Sequence, residues 1–393
     1  MLSDLPPLLL ILERAHAPED VYGQLAGKDE ADKLASLRHA YRHSVSVVHP
    51  DVLSSAGATE EEMKNAHEAT KALHEWRAKA EKKIHAGTYG DGKSVDLPSA
   101  SRSAAQVVRS PTGVRYLVDE LLAKGDIADV YRCTYTKDGD EKKAVFKLTR
   151  SPLDNDLAEK GARTLCKMYP AAQAEEKFFR YLPKPVEAFL LKQRGSGLRR
   201  AIVMQEAEDH FSLAEVMAAY PKGLDFRDTV WMFKRSLAGL WHVHHVLGIV
   251  HGAVLPPHLL VHPTGHGAKI VGWSAAVEWR AGKERVSNAV KHYRSFYAPE
   301  ILSKEPPGPQ ADIYMLGQCV VALLGGSPQT GLPAPSSPAA KSFHQFVSTL
   351  LATKPSSRPT DAGALHEDLD ELLFKIIGKK NYRPLGMPPR ATP

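Results

Sequence analysis

Cysteine is scarce in this sequence: Cys133, Cys166 and Cys319 are the only three in 393 residues, widely spaced and odd in number. They suit neither a disulfide framework nor a zinc site, and a reducing compartment is the expected home. Long apolar runs are missing as well. The stretch 8–12 follows Asp4 and two prolines, has no basic residue before it, and is far too short to span a bilayer. It reads as a short packing segment, so a cytoplasmic protein without a membrane partner is expected. Charge of one sign is only mildly in excess, with 51 Lys and Arg against 45 Asp and Glu, a net +6. With no clustered basic face visible in the sequence and no reader motif, a nucleic-acid partner is not expected. No internal repeat is present.

What is there suits a globular chain of two or three domains: 43% hydrophobic residues and charges of both signs. From 18 to 86 the pattern is helical. Leu34, Leu37, Ala40, Tyr41, Val45 and Val48 recur at helical spacing, and Met63, Ala66, Ala69, Leu73, Trp76 and Ala80 repeat it. Two antiparallel helices joined by a polar loop are predicted. Residues 87–113, rich in Gly, Ser and Pro, read as a flexible linker. Short β-rich runs follow at 114–118, 130–135, 144–148 and 201–204, and helical stretches dominate from Thr229 onward. Strands first and helices afterwards predict an α+β domain over 114–378 with two unequal lobes. A proline-rich tail, loose from Pro384 to Pro393, is expected over 379–393.

His49-Pro50-Asp51 opens the loop after the second predicted helix. The proline ends the helix, and its neighbours present a ring and a carboxylate at one exposed corner. Arg38 and Arg42, with Lys33, His39 and His43, lie largely off the apolar stripe and give this helix a basic face. Along 18–86 the chain resembles the J-domain of DnaJ-type co-chaperones, with His49-Pro50-Asp51 at the signature position. The resemblance implies docking on a DnaK-type chaperone, the basic helix meeting an acidic surface and Asp51 engaging an arginine to promote ATP hydrolysis. The loop 52–59 departs from the family in lacking the basic residues often found after the motif.

A second set of landmarks appears in order. They are Ala144-Val145-Phe146-Lys147, Met204-Gln205-Glu206-Ala207, Gly248-Ile249-Val250-His251, Ala298-Pro299-Glu300, Asp312-Ile313-Tyr314-Met315-Leu316-Gly317, and Arg358-Pro359. From 114 to 378 the chain resembles the protein kinases, which need a Gly-rich loop, a strand lysine paired to a helix glutamate, a catalytic Asp, and an Asn and an Asp on magnesium. Against that pattern Ala253 stands at the catalytic Asp position, Leu255 at the loop lysine, His258 at the Asn, and Gly272-Trp273-Ser274 at Asp-Phe-Gly. Ala123 and Ala128 replace two of the three loop glycines, leaving Gly125. The resemblance is to a pseudokinase. Gly125, Lys147, its helix partner Glu176 or Glu175, and Gln205 remain as a candidate nucleotide site, for ATP held weakly and without metal. An ion pair that only ties helix to sheet explains Lys147 equally well. Glu300 with Arg358 reads as structural, and the histidines from 242 to 245 as packing or surface residues.

The fold class expected is therefore multidomain, an all-α J-domain hairpin followed by an α+β bilobal kinase-like domain. The preferred function is a co-chaperone-type adaptor that stimulates a chaperone ATPase while the kinase-like domain binds a client, partner or ligand. Two alternatives stand beside it. One is an active Ser/Thr kinase with relocated carboxylates such as Asp126, Asp129 or Glu278; the other is a scaffold in which both modules are degenerate.

Overall fold

The computed structural model describes residues 8–9, 12–13, 15, 17–23, 25, 29–48, 53, 58–89, 105–174, 178–193, 197–280, 282–287, 289–378 and 382–388. The chain forms two compact units. One comprises Met1–Glu159 and Val186–Met204, the other Lys160–Pro185 and Gln205–Thr392.

The helices of the first unit include α1 (Pro18–Tyr22), α2 (Glu30–Val48) and α3 (Glu60–His85). Thr59 and Glu62 form a reciprocal cap at the start of α3: the Thr59 N–H donates to Glu62 Oε2 at 2.8 Å, and the Glu62 N–H donates to Thr59 Oγ1. Three glutamates in its first turn and Lys82, Lys83 and His85 in its last complement the helix dipole. α2 and α3 run antiparallel, with His85 on Glu30 at one end and Tyr41 against His74 further along. Their apolar stripes bury Leu37, Ala40, Val48, Ala66, Ala69, Leu73 and Ala80, and Tyr22 enters the same core with its hydroxyl donating to Leu73 O at 2.6 Å. Leu8, Leu9 and Leu12 pack against this core, the part anticipated for that short run.

A six-stranded sheet completes the unit: β1 (Gln106–Arg109), β2 (Arg115–Lys124), β3 (Ala128–Lys137), β4 (Asp140–Thr149), β5 (Pro185–Gln193) and β6 (Gly197–Gln205), in the order β1-β2-β3-β4-β6-β5. Asp138-Gly139, both at positive φ, close the β3–β4 hairpin as a two-residue turn demands. Tyr116, Val118, Cys133, Ala144, Phe146, Phe189 and Val203 form the core under the sheet. Of the expected linker, residues 87–89 and 105–113 are structured, and 90–104 lie outside the described residues. Tyr89 is buried with its hydroxyl on Gly23 O, and β1 pairs with β2 from Gln106↔Val118 to Arg109↔Arg115. A backbone ladder needs no large apolar residues, so Gly, Ser and Pro counts are a poor guide to its start.

Helix α4 (Asn155–Ala174) runs from the first unit into the second. The second unit holds α5 (Leu213–Ala219), α6 (Phe226–His245), α7 (Pro299–Leu302), α8 (Pro309–Leu323), α9 (Pro338–Leu350) and α10 (Ala362–Ile377). Short strands β7 (Phe211–Ser212), β8 (Ile249–Val250), β9 (Leu259–Val261), β10 (Ala268–Ile270) and β11 (Val277–Glu278) lie among them. α8 is buried along almost its whole length, which is why its sequence is nearly apolar all round. The C-terminal residues are not loose as expected: residues 382–388 are strapped to this unit. Leu385 is buried and its N–H donates to Pro263 O at 3.0 Å. Tyr220 donates to Gly386 O, and His266, stacked on Trp231, donates to Arg383 O. Proline content misled there; an extended segment can be fixed by a few carbonyls and one buried leucine.

Candidate functional site

The second unit brings the three degenerate positions together. Asp312, fully buried on α8, clamps the loop after β8. Its Oδ2 accepts from the His251 N–H at 2.7 Å and from His244 Nε2 at 2.8 Å, and its Oδ1 accepts from the Gly252 N–H at 2.9 Å. Three charge-assisted bonds on one enclosed carboxylate hold the backbone of residues 251 and 252 in place. The His251 ring is fixed in turn, Nε2 donating to Val271 O at 2.9 Å and Nδ1 accepting from the Ala253 N–H at 3.2 Å. Burial pushes its pKa below the ordinary histidine value, and that outweighs the opposing pull of Asp312. Trp273 lies edge-on to this ring, 4.5 Å between centroids.

Ala253 is buried and offers no carboxylate. Its carbonyl accepts a 2.8 Å bond from His258 Nδ1, which aims the imidazole of His258 at Gly272. Gly272 sits at φ +87°, and a Cβ there would stand 2.6 Å from His258 Cδ2 and 2.7 Å from Cγ and Nε2. The ring therefore fills the space that any side chain at 272 would enter. A divalent cation held as kinases hold magnesium does not fit these residues: the two oxygen ligands are a histidine and a glycine, and the imidazole occupies the volume between them. Among the described residues no group of three or more His, Cys, Asp or Glu is arranged to hold a metal.

The remaining sites are structural or lie elsewhere. Glu300 and Arg358 form a buried bidentate pair at 2.7 and 3.1 Å, with Arg358 also donating to Thr353 O and stacked over Tyr314. Glu278, one of the relocated carboxylates considered, is engaged by Lys167 at 2.5 Å. In the first unit Lys147 lies on β4 opposite Val130. Its ammonium is enclosed, and burial holds its pKa below the ordinary lysine value. No described carboxylate pairs with it; Glu175 and Glu176 lie outside the described residues. Gly125 turns the β2–β3 loop, its N–H donating to Ala128 O at 3.1 Å, so that carbonyl is turned into the loop. Asp129 faces Arg150 at 3.8 Å. Gln205 is exposed at the end of β6. Arg38 and Arg42 are exposed on α2 as read, whereas His49, Pro50 and Asp51 lie outside the described residues.

Sequence reading missed His244, which it placed among packing residues. The signal was an aspartate in the otherwise apolar helix α8, since a carboxylate buried that deeply requires donors.

The description of the protein kinase domain matches residues 116–382, more than half of the chain. The chain belongs to the protein kinase domain family. Within it, a probable serine/threonine-protein kinase, pknA2 of Bifidobacterium longum (strain NCC 2705), is 23% identical over 168 residues. That match covers 38% of this chain and 22% of the relative, so the chain spans under a quarter of that protein's length. Among solved structures, the crystal structure of the BubR1 kinase domain superposes with a TM-score of 0.52 at 17% identity. It covers 71% of this chain and 85% of that one, a likeness of fold. The strands and helices of the kinase fold are thus shared with these proteins. Among the described residues no helix is long and apolar enough to cross a membrane.

Proposed function

We propose that this chain is an adaptor in which a catalytically inactive kinase domain is joined to a J-domain. The J-domain recruits a DnaK-type chaperone in the cytoplasm and stimulates its ATPase, and the kinase domain binds a client or partner. The observation that carries the inactive reading is the His258 ring against Gly272, with Ala253 at its Nδ1. Base and both metal ligands are lost together, and the replacing side chain fills the site. ATP, if admitted at Gly125, Lys147, Glu176 and Gln205, binds weakly and without magnesium. Support for the J-domain is the sequence His49-Pro50-Asp51 directly following the helix that carries the exposed cations Arg38 and Arg42.

Purified protein incubated with radiolabelled ATP and magnesium or manganese incorporates no phosphate. Incorporation that vanishes in Lys147→Ala would replace this reading by the active-kinase alternative, which the likeness to a probable serine/threonine-protein kinase of Bifidobacterium favours. The chaperone arm is tested separately: the chain raises ATP turnover by a DnaK-type chaperone, and Asp51→Asn or His49→Gln abolishes the rise with helix content unchanged. An Asp51→Asn chain that stimulates as well as the parent removes the J-domain from the proposal and leaves a scaffold.

A further inference from the structure

The segment after β11 carries an unusual share of the molecule's charge. Arg280, Lys283, Arg285, Lys291 and Arg294 stand against Glu284 alone, so residues 280–294 hold a net +4 of the chain's +6. Reading the sequence found no clustered basic face because the cations are spread over this stretch between neutral residues. The structure shows Lys283, Arg285, Lys291 and Arg294 all exposed, and among the described residues none is paired with a carboxylate. Glu284 is turned instead toward Lys160 at 4.0 Å and the Glu278 N–H.

The backbone beneath these cations is fastened. Val286 is 1% exposed and seats against the catalytic loop: a Cβ at Gly252 would stand 2.8 Å from Val286 Cγ2. Lys304 Nζ donates to the carbonyls of Val286 and Ser287, at 3.2 and 2.9 Å, and the Val290 N–H donates to the Tyr297 hydroxyl at 3.1 Å. Exposed like charges within one short fastened segment repel one another, a cost an anionic partner relieves.

We propose that residues 280–294 are a docking face for an acidic polypeptide segment, one rich in Asp and Glu. The proposal rests on the reading of the kinase domain as a binding module and names the chemistry of its partner. A polypeptide is favoured over single-stranded nucleic acid because the segment presents no exposed Tyr, Trp or Phe ring for bases to stack on, and its one exposed ring is the small imidazole of His292. Tyr297 is buried, and Tyr293 is half-buried between His292 and Phe296. It is favoured over a membrane surface because no large hydrophobic of this segment is among the exposed ones.

The test is fluorescence anisotropy of the full chain with a fluorescein-labelled oligoglutamate peptide. Binding weakens steeply with added salt, and the variant K283E/R285E/K291E/R294E loses affinity about tenfold or more. The control K341E/K354E, which alters exposed cations of the same unit outside this segment, leaves the affinity unchanged. Should the fourfold variant fail to fold by circular dichroism, K283Q/R285Q gives a partial loss. Undiminished binding by a folded variant, an equal loss in K341E/K354E, or about tenfold tighter binding of oligouridylate than of the peptide overturns the proposal. Phosphate incorporation, measured on the same samples, bears only on the inactive reading, so the two ideas fail separately.

Discussion

At position 272 an added side chain meets the His258 ring at 2.6 Å while the backbone stays at φ +87°. Both effects act against Gly272→Asp, which is expected to lower stability by about 2–4 kcal/mol. Combining it with His258→Asn removes the ring and recovers part of the loss; urea denaturation of both variants measures this. Lys147 offers a contrasting case. An enclosed ammonium without a described carboxylate is less protonated when folded than when unfolded, so stability rises with pH up to the ordinary lysine value of 10.5. Lys147→Met is expected to flatten that slope and to raise stability near neutrality by about 1 kcal/mol. A loss of stability in that variant would mean that the amine has a counter-charge in solution. Breaking a satisfied pair has the opposite sign: Arg358→Met strands Glu300 and costs about 3–5 kcal/mol in the same denaturation experiment.

Elements were legible where periodicity is strong. α2, α3 and the strands β3 and β4 were read within a few residues because their apolar spacing is a local signal. β1 and the strap at 382–388 were not: β1 is a short strand in a stretch poor in large apolar residues, and the strap is held by partners far back along the chain. The strap hangs on few groups, chief among them the Leu385 side chain and the carbonyls of Arg383 and Gly386. Leu385→Asp is expected to release residues 382–388, read as faster proteolysis of the C-terminus, with near-native far-ultraviolet circular dichroism. Retained protection would show that the carbonyl contacts suffice. In the candidate site, the substitutions at 253, 258 and 272 were visible from sequence alone. That the ring of one fills the place of another was not, because a residue's rotamer follows from packing.

At the scale of the whole molecule, burial lowers the pKa of His251 and His344, which are buried, and of His210 and His266, which are half-buried, all in the second unit. Each holds a proton less readily folded than unfolded, so acid below the ordinary value of 6.5 destabilises this unit. Four of the five tryptophans, Trp231, Trp241, Trp273 and Trp279, report on it. Tryptophan fluorescence should therefore show a urea midpoint that falls between pH 7 and 5, and a constant midpoint would mean these rings are hydrated. In the first unit the helices and the sheet share a seam. α1 packs on the 3-10 turn Pro152–Asp154 after β4, Leu153 joins the helical core, and a Cβ at Gly197 would stand 2.8 Å from Asp20 O. That seam bears on how such a chain can be assembled from parts. A fusion point placed between 89 and 105 would hand each fragment an apolar surface made to fit the other. The helical module and the kinase domain are consequently poor cassettes for exchange, and a graft of either onto a foreign partner must bring α1, residues 152–154 and the start of β6 with it.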